Sequence, residues 1–388
     1  MKVVHVVRQF APSVGGLEEA VLQFCLHLRN QGVEASVLTL NRVRQGSGEI
    51  LPAAEYISGI PVTRVPFRGS WRYPIAPDVL SSVRQADIVH VHAIDFFFDY
   101  LALTKPIHKK PLLASTHGGF FHTQYAHRLK HLYFQTVTRL SAKAYDCVCA
   151  SSVNDWNLFH TIAPSNLHLV QNGVDTKKWH DRAARTPVRQ MIAIGRFAVN
   201  KQLVKLMPLL HHLRQLNPEW RLTIAGRDAE LTAADLGHAA ASAGLGDCVD
   251  LLVAPDDAAI GAAIERSSYV VSASSYEGFG LSAVEGMSAG LVPVLNRIAP
   301  FQALVAATGC GLLIDIDDPA RSAAEIEAQH GRFASRFAQR ERCIDEASRY
   351  GWAGSIAQLI ALYKDVVDDP AAMHPQTGRV PILRGGSR

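Results

Sequence analysis

Residues 276–287 read Tyr-Glu-Gly-Phe-Gly-Leu-Ser-Ala-Val-Glu-Gly-Met, which sets two carboxylates on either side of a glycine-lined turn. The preceding residues, 269–274, have the apolar run of a short buried strand. From Leu281 onward, apolar residues recur at helical spacing. Glycines let backbone amides approach a ligand, and a helix N-terminus offers unpaired N–H groups. The stretch therefore predicts a strand, a turn and a helix that together bind an anion.

The rest of the chain repeats this strand and helix alternation in two series. Strand-like runs of the first series lie at 2–7, 35–40, 60–65, 87–92, 111–116, 146–150 and 167–170. Those of the second lie at 191–194, 221–225, 249–253, 269–273, 292–295 and 312–314. Repeated βα units favour doubly wound parallel sheets, with ligands at the carboxyl ends of the strands.

We therefore predict an α/β protein of two Rossmann-like domains, at residues 1–180 and 187–350. A length of 388 residues supports two domains, because a single core rarely grows so large. A helix at 351–369 is expected to return to the first domain, and a loose tail occupies 370–388.

The distribution of charge and the cysteine content bear on the partners of the protein and on its cellular compartment. Residues 1–180 hold 18 Lys/Arg against 12 Asp/Glu, a net of +6, which fits either an anionic partner or an ordinary solvated surface. The six cysteines show no disulfide framework, which favours reduced thiols in the cytoplasm. No apolar segment reaches the roughly 20 residues that span a bilayer.

Further candidate ligands for an anion follow other strands. Arg196 lies in a Gly-Arg-Phe triplet after the strand at 191–194, and Lys201 comes five residues later. Two such cations alone are typical of a solvated surface, but Glu277 and Glu285 make a common site more specific. Residues 14–19 lack the dinucleotide fingerprint, although Gly15 and Gly16 permit a close approach to a phosphate or sugar.

The combination G-R-F-x-x-x-K and E-G-F-G-L-x-x-x-E resembles family 4 of the retaining glycosyltransferases, which have the GT-B fold of two Rossmann-like domains facing a central cleft. The segments 116–118, Thr-His-Gly, and 172–175, Asn-Gly-Val-Asp, extend the resemblance. It implies transfer of a sugar from a nucleotide diphosphate, bound mainly by the second domain, to an acceptor bound mainly by the first. Members of the family need no metal or other cofactor.

The resemblance also assigns roles. It implies that Glu277 binds the donor sugar, Glu285 the ribose, and Arg196 with Lys201 the diphosphate. His117 is expected near the sugar. The remaining donor-binding candidates are Gly15, Gly16, Gly278, Phe279, Gly280 and Leu281. Retention is explained in this family by front-face attack through an oxocarbenium-like transition state, so no nucleophile is assigned. A capping role for Glu277, a surface role for Glu285 and a structural role for His117 remain alternatives.

Two other patterns bear on metals and the acceptor. Asp315-Ile316-Asp317 resembles a D-x-D metal motif but lacks its usual context. His90 and His92 share one face of a strand, yet the sequence shows no third ligand. We expect no metal, and place His92 and Asp95 on the acceptor side.

Cations and aromatic residues alternate in segments 64–73 and 127–134, with a further Lys pair at 109–110. Such composition suits a surface that meets anionic lipids, and it equally suits loops and an amphipathic core helix. No pattern indicates a nucleic-acid partner.

Segments 6–19 and 288–294 resemble bacterial exopolysaccharide mannosyltransferases that extend a polyprenyl-diphosphate-linked oligosaccharide. We therefore predict transfer of mannose from GDP-mannose to a lipid-linked glycan, at the inner face of the plasma membrane. Gln202, where the family often has glycine, and residues 296–301 depart from the pattern. Alternatives are a UDP-sugar-dependent transferase, a nucleotide-sugar epimerase and a non-catalytic nucleotide-sugar-binding protein.

Overall fold

The computed structural model describes residues 1–13, 15–43, 49–71, 73–118, 127–335 and 338–368. Val14, Arg72 and the predicted tail at 370–388 lie outside these ranges. The chain divides into two compact units. Unit 1 contains Met1–Gly173 and the segment that begins at Trp352, and unit 2 contains Val174–Gly351.

Unit 1 alternates strands and helices as the sequence predicts. In chain order its elements are β1 (Lys2–Val6), α1 (Gly16–Asn30), β2 (Glu34–Leu40), β3 (Ala54–Ile57), β4 (Ile60–Val65), β5 (Arg68–Ser70), β6 (Tyr73–Ile75), α2 (Val79–Ser82), β7 (Ile88–His92), α3 (Phe96–Leu103), α4 (Lys105–His108), β8 (Leu112–Ser115), α5 (His127–Tyr133), a π-helical turn (Phe134–Thr138), α6 (Arg139–Ala142), β9 (Cys147–Ala150), α7 (Val153–His160) and β10 (Leu167–Leu169).

Unit 2 follows with a second series. Its elements are β11 (Gln190–Ile194), two 3₁₀ turns (Val199–Lys201 and Leu203–Lys205), α8 (Leu206–Leu216), β12 (Arg221–Gly226), α9 (Ala233–Ser242), β13 (Val249–Val253), α10 (Asp257–Glu265), β14 (Tyr269–Ser272), α11 (Leu281–Ser288), β15 (Val292–Asn296), α12 (Ala299–Thr308), β16 (Leu312–Ile314), α13 (Pro319–Ser335) and α14 (Ala338–Ser348). The last helix of the described chain, α15 (Trp352–Asp368), belongs to unit 1.

Each unit is built on a parallel sheet. The order in unit 1 is β10-β9-β8-β7-β1-β2-β4-β3, with β3 antiparallel to β4, and β5 with β6 forms a separate hairpin. The order in unit 2 is β13-β12-β11-β14-β15-β16, parallel throughout. Strands β7, β8 and β9 are buried along their whole length, as expected where helices cover both faces of a sheet.

Helix α15 packs against the first unit because its apolar face completes a hydrophobic layer there. Ile356, Leu359 and Tyr363 are buried beside α1 residues such as Phe24. A Cβ atom on Gly173 would lie 2.4 Å from Cα of Trp352, so the chain approaches the start of α15 closely at a residue without a side chain.

The boundary between the units lies at Gly173 and Val174, upstream of the boundary that the sequence suggested. Residues 174–189 belong to unit 2 because Trp179 and Ala183 are buried in its core, against Ile192 and Val270. Val174 is buried in the same unit, in a neighbouring part of its core. The polar composition of residues 181–190 hid this packing from the sequence analysis.

All six cysteines are buried and none forms a disulfide. Within the described ranges, no helix combines the length and the apolar character needed to cross a membrane.

Candidate active site

The glycine-lined turn adopts the predicted strand, turn and helix geometry. It joins β14 to α11, and Gly280 occupies the N-cap position of α11 with φ of +93°. A Cβ atom at this position would lie 2.7 Å from Cε1 of Phe301. Both the backbone conformation and the neighbouring ring therefore favour glycine. Phe279 packs against Tyr350, with ring centroids 5.5 Å apart, whereas Gly278 and Leu281 are exposed.

Glu277 and Lys201 form an ion pair in this turn. Oε1 of Glu277 accepts hydrogen bonds from Nζ of Lys201 at 2.5 Å and from Oγ of Ser274 at 2.8 Å. The side chains of Lys201 and Glu277 are only 22% and 14% exposed, so solvent screens this pair less than a surface pair. The carboxylate therefore holds the ammonium group in a fixed position before any ligand binds.

Sheet topology explains why residues so far apart in sequence meet. Lys201 follows β11 and Glu277 follows β14, and these strands are parallel neighbours. Asn200 ties the two turns together, because its Nδ2 donates to the carbonyl of Tyr276 at 3.1 Å and its carbonyl accepts from the amide of Ser275 at 2.9 Å. The predicted convergence of Lys201 and Glu277 is thus fixed by hydrogen bonds between the two turns that carry them.

Arg196 and Glu285 have different surroundings. Arg196 is exposed and forms no ion pair with any residue of the described ranges. It can therefore turn toward an anionic ligand without breaking an existing pair. Glu285 lies in the second turn of α11 with a half-buried side chain. The structure places Glu285 on α11 and Arg196 just after β11, and their roles toward a donor stay predictions.

Gln202 accounts for one departure from the family pattern. It ends the first 3₁₀ turn in the left-handed region, with φ of +48°. Glycine adopts this conformation without strain, whereas a glutamine there has a steric cost. The position that follows Lys201 is thus one at which the backbone itself favours glycine.

In unit 1, Gly15 and Gly16 lie at the start of α1. Gly15 is its N-cap, and a Cβ atom there would lie 2.4 Å from Oε2 of Glu18. Gly16 has open space around its α-carbon among the described residues. The first glycine accommodates a neighbouring carboxylate, and the second leaves backbone accessible at the helix end.

His117 follows β8 in an uncommon backbone conformation. Its φ is +48°, in the left-handed region that residues with a side chain rarely adopt. The turn is secured by a hydrogen bond from Thr116 Oγ1 to Asp155 at 2.8 Å and by one from the His117 amide to Ser151 Oγ at 3.1 Å. Burial lowers the pKa of the half-buried imidazole to about 4, so the ring is neutral near pH 7.

His92 lies behind His117 rather than beside it. The two rings share a hydrogen bond of 2.8 Å between His92 Nδ1 and His117 Nε2. Because His92 has no exposed surface, it does not make the direct contact with an acceptor that the sequence predicted. Asp95 is nearly buried at the N-cap of α3, where it accepts from the amide of Phe97 at 2.9 Å. Burial raises its pKa to about 6.

Two further histidines adjoin His92, and one of them was not predicted. Strand register places His5 on β1 directly opposite His90 on β7. His5 Nδ1 hydrogen-bonds His92 Nε2 at 2.8 Å, while His90 bonds Tyr363 at 2.6 Å and Ser115 at 2.8 Å. All three rings are fully buried. The sequence signal for His5 was a histidine within an apolar strand. Its place beside His90 and His92 could be found only from the order of the strands in the sheet.

The structure does not support two other candidate sites, the D-x-D motif at 315–317 and the lipid-facing role of Arg64. Asp317 is an exposed partner of Lys205, at 2.5 Å, and its amide binds Asp315 Oδ1. Arg64 is buried, forms an ion pair with Glu55 and donates a hydrogen bond to the carbonyl of Ala11. The prediction that it belongs to a lipid-facing surface is therefore wrong for this residue. The sequence could not reveal this, because the residue sits on the core face of β4.

Known protein families match both units of the chain. A family model described as Glycosyltransferase Family 4 matches residues 14–178, and one described as Glycosyl transferases group 1 matches residues 175–346. A GDP-mannose:cellobiosyl-diphosphopolyprenol alpha-mannosyltransferase of Xanthomonas oryzae is 44% identical over 373 residues, 95% of this chain and 98% of that protein.

The chain belongs to glycosyltransferase family 4. The GDP-mannose:cellobiosyl-diphosphopolyprenol alpha-mannosyltransferase of Komagataeibacter xylinus is 43% identical over 95% of this chain and 94% of its own length. Sucrose-phosphate synthase from Thermosynechococcus elongatus superposes with a TM-score of 0.71 at 16% identity, covering 95% of this chain and 99% of that one, which shows the fold alone.

These matches confirm three predictions for this family 4 enzyme: the family itself, the GT-B fold built from two Rossmann-like domains, and glycosyl transfer as the activity.

Proposed function

We propose that this family 4 glycosyltransferase moves mannose, with retention, from GDP-mannose to a cellobiosyl-diphosphopolyprenol acceptor during exopolysaccharide assembly. Relatives named for that activity align along nearly the whole chain. The observation that carries the proposal within the structure is the Lys201–Glu277 pair, held in the turn at the N-terminus of α11. A site of this kind suits a ligand with a diphosphate next to a sugar.

In unit 2, the cations and the carboxylates bind different parts of the donor. Loss of GDP builds negative charge on the β-phosphate, and preorganised cations stabilise that charge as it forms. Lys201 is held in place by Glu277, and Arg196 has no competing ion pair among the described residues. The amides at the start of α11 add the positive end of the helix. Glu277 and Glu285 then serve as acceptors for hydroxyl groups of the donor.

A donor panel tests this proposal. GDP-mannose is expected to raise the melting temperature more than GDP-glucose, UDP-glucose or UDP-galactose, and to yield a mannosylated product with cellobiosyl-diphosphopolyprenol, detected by mass spectrometry. A larger shift and turnover with a UDP-sugar would replace the proposed donor. An isomerised sugar formed without acceptor would indicate an epimerase, and binding without turnover a non-catalytic protein.

Variants of Lys201 and Glu277 connect the panel to the site. Lys201→Ala and Glu277→Gln are each expected to lower kcat/KM by about 10²-fold or more, the usual effect of removing one preorganised charge. Lys205→Ala removes a lysine from an exposed pair in the same unit and is the matched control, with activity near wild type. Equal activity in all three variants would refute the site assignment.

We also propose that a face of unit 1 meets the membrane at the cytoplasmic surface, where a polyprenyl-linked acceptor resides. Leu129 and Leu132 on α5 and Leu140 on α6 are 66%, 60% and 72% exposed. Helix α3, which packs against α4 and α6, brings exposed Leu103 to the same group of helices. Exposed leucines among lysines suit insertion into an interface of anionic lipids.

Sedimentation with anionic vesicles at low salt tests the membrane proposal. Leu129→Glu/Leu132→Glu is expected to lose vesicle binding, because the substitution places charge in the apolar layer. Leu216→Glu, an exposed leucine of unit 2, is the control and should bind like wild type. Wild-type protein that stays in the supernatant would overturn this part of the proposal.

A further inference from the structure

Three imidazoles form a hydrogen-bonded series in unit 1, which we call the histidine chain: His117, His92 and His5. His117 Nε2 pairs with His92 Nδ1 at 2.8 Å, and His92 Nε2 pairs with His5 Nδ1 at 2.8 Å. The ring centroids are 5.1 Å apart at both steps. Since His92 uses both nitrogens, the protonation of the outer two rings is linked through it.

Counting protons leaves two arrangements. Each N–H···N bond needs one proton and one lone pair, and a neutral imidazole carries a single N–H. Either all three rings are protonated on Nδ1, or all three on Nε2. In the first arrangement His5 donates to His92 and His92 donates to His117. In the second every bond is reversed, and His5 carries its proton on Nε2.

The buried end of the histidine chain decides between them. Nε2 of His5 is fully buried and has no hydrogen-bond partner among the residues that the structure describes. The second arrangement would leave an N–H donor unsatisfied there, whereas the first leaves only a lone pair. Orphaned buried donors are the rarer and more costly case. All three rings of the histidine chain are therefore protonated on Nδ1, and Nε2 of His117 is a hydrogen-bond acceptor.

The surroundings match a hydrogen-bonded chain better than a metal site. His5, His90 and His92 offer nitrogens close enough together to hold an ion. However, His90 already bonds Tyr363 and Ser115 through its two nitrogens, and His92 bonds its two neighbours. Phe24 packs against His90, His92 and His117, with centroids 5.9 to 6.3 Å away, so an apolar ring closes this side.

We infer that His5 and His92 are positioning residues that fix the tautomer of His117, so that Nδ1–H is the group it presents to the substrate. This inference rests on the proposed function and on the position that the family resemblance predicts for His117, beside the transferred sugar. The left-handed turn, bonded to Ser151, fixes the backbone of His117, and the histidine chain fixes its ring. An Nδ1–H donor suits a hydroxyl or ring oxygen of the sugar.

Nitrogen NMR tests the histidine chain without any need for catalysis. With histidine labelled by ¹⁵N in both ring positions, His117 should show a protonated Nδ1 and a bare Nε2. Scalar couplings should cross both N–H···N bonds. A protonated Nε2 on His117, or no coupling to His92, would overturn the inference. Stoichiometric zinc in the purified protein, measured by elemental analysis, would also overturn it in favour of a metal site.

Kinetic variants then test the link to transfer. His92→Leu removes the donor to His117 and is expected to lower kcat about 10- to 100-fold with little change in KM for GDP-mannose. His92→Asn retains an N–H donor near the position of Nδ1 and should restore part of the rate. His90→Leu, equally buried but bonded to Tyr363 and Ser115, is the matched control: it should keep the NMR signature of His117 and its rate.

The two readouts separate the possible failures. Intact couplings in the wild-type protein together with an unchanged rate in His92→Leu would leave the histidine chain in place but refute its role in transfer. Equal losses of rate in His92→Leu and His90→Leu would mean that both residues act through stability alone, and would refute positioning.

Discussion

Replacing His5 with Phe should make unit 1 less sensitive to acid. Burial lowers the pKa of His5 to about 3, whereas an unfolded histidine titrates near 6.5. The neutral ring therefore contributes stability that is complete above pH 6.5 and is lost as the pH falls from 6.5 toward 3. Below pH 6.5 the unfolded chain takes up a proton at this residue that the folded chain does not.

The size of the effect follows from linkage. Between pH 8 and pH 5, a group with these two pKa values lowers the free energy of unfolding by about 2 kcal/mol. His5→Phe removes this term, so its unfolding free energy relative to wild type should shift by about 2 kcal/mol in its favour over that interval. Asp95, whose pKa is raised to about 6, acts in the opposite direction, but it is present in both proteins and cancels.

Native-state hydrogen exchange of peptides from β7 measures this difference in unit 1 alone, because a fully buried central strand exchanges mainly through unfolding of its unit. His131→Phe, at an exposed position of α5, is the control and should show the pH dependence of wild type. A constant difference between His5→Phe and wild type from pH 8 to pH 5 would refute the argument that His5 is buried in its neutral form.

Three substitutions test the local geometry. Gly280→Ala should destabilise unit 2 by about 1–3 kcal/mol and weaken donor binding, because it combines a positive φ with a clash against Phe301; thermal unfolding and donor titration measure both effects. Gln202→Gly should raise the melting temperature by relieving left-handed strain of about 1–2 kcal/mol, less the entropy that glycine loses; an unchanged or lower value contradicts this. Tyr363→Phe should cost about 1–3 kcal/mol, since it removes the partner of buried His90 Nδ1, and denaturant unfolding at pH 8 would show it.

The sequence was sufficient for the parts of this enzyme that depend on short-range pattern. Apolar periodicity places β14 and α11, and the glycines between them define a turn with a helix N-terminus. The convergence of Lys201 and Glu277 could also be anticipated, because residues that follow neighbouring parallel strands meet at one edge of the sheet. These features need only the local chain and one rule of topology.

The parts that were missed depend on strand register and burial. His5 joins the histidine chain only because β1 lies beside β7 in the register that places it opposite His90. The position of Arg64 in the core depends on a carboxylate, Glu55, on the neighbouring antiparallel strand. A side chain of either kind appears in sequence as an ordinary polar residue, and its environment is set by elements far away along the chain.

The two units handle charge in opposite ways, and the proposed reaction explains why. Unit 2 pairs Lys201 with a carboxylate, which holds its positive charge where the proposed reaction needs it, beside the leaving diphosphate. In unit 1, the ring of His117 bonds the buried His92, and burial lowers the pKa of His117 to about 4, which keeps it uncharged near pH 7. An imidazolium beside an oxocarbenium-like sugar would repel the charge that forms there, whereas a neutral ring can donate a hydrogen bond without that penalty. Burying the histidine chain is therefore a way to provide a donor without a cation.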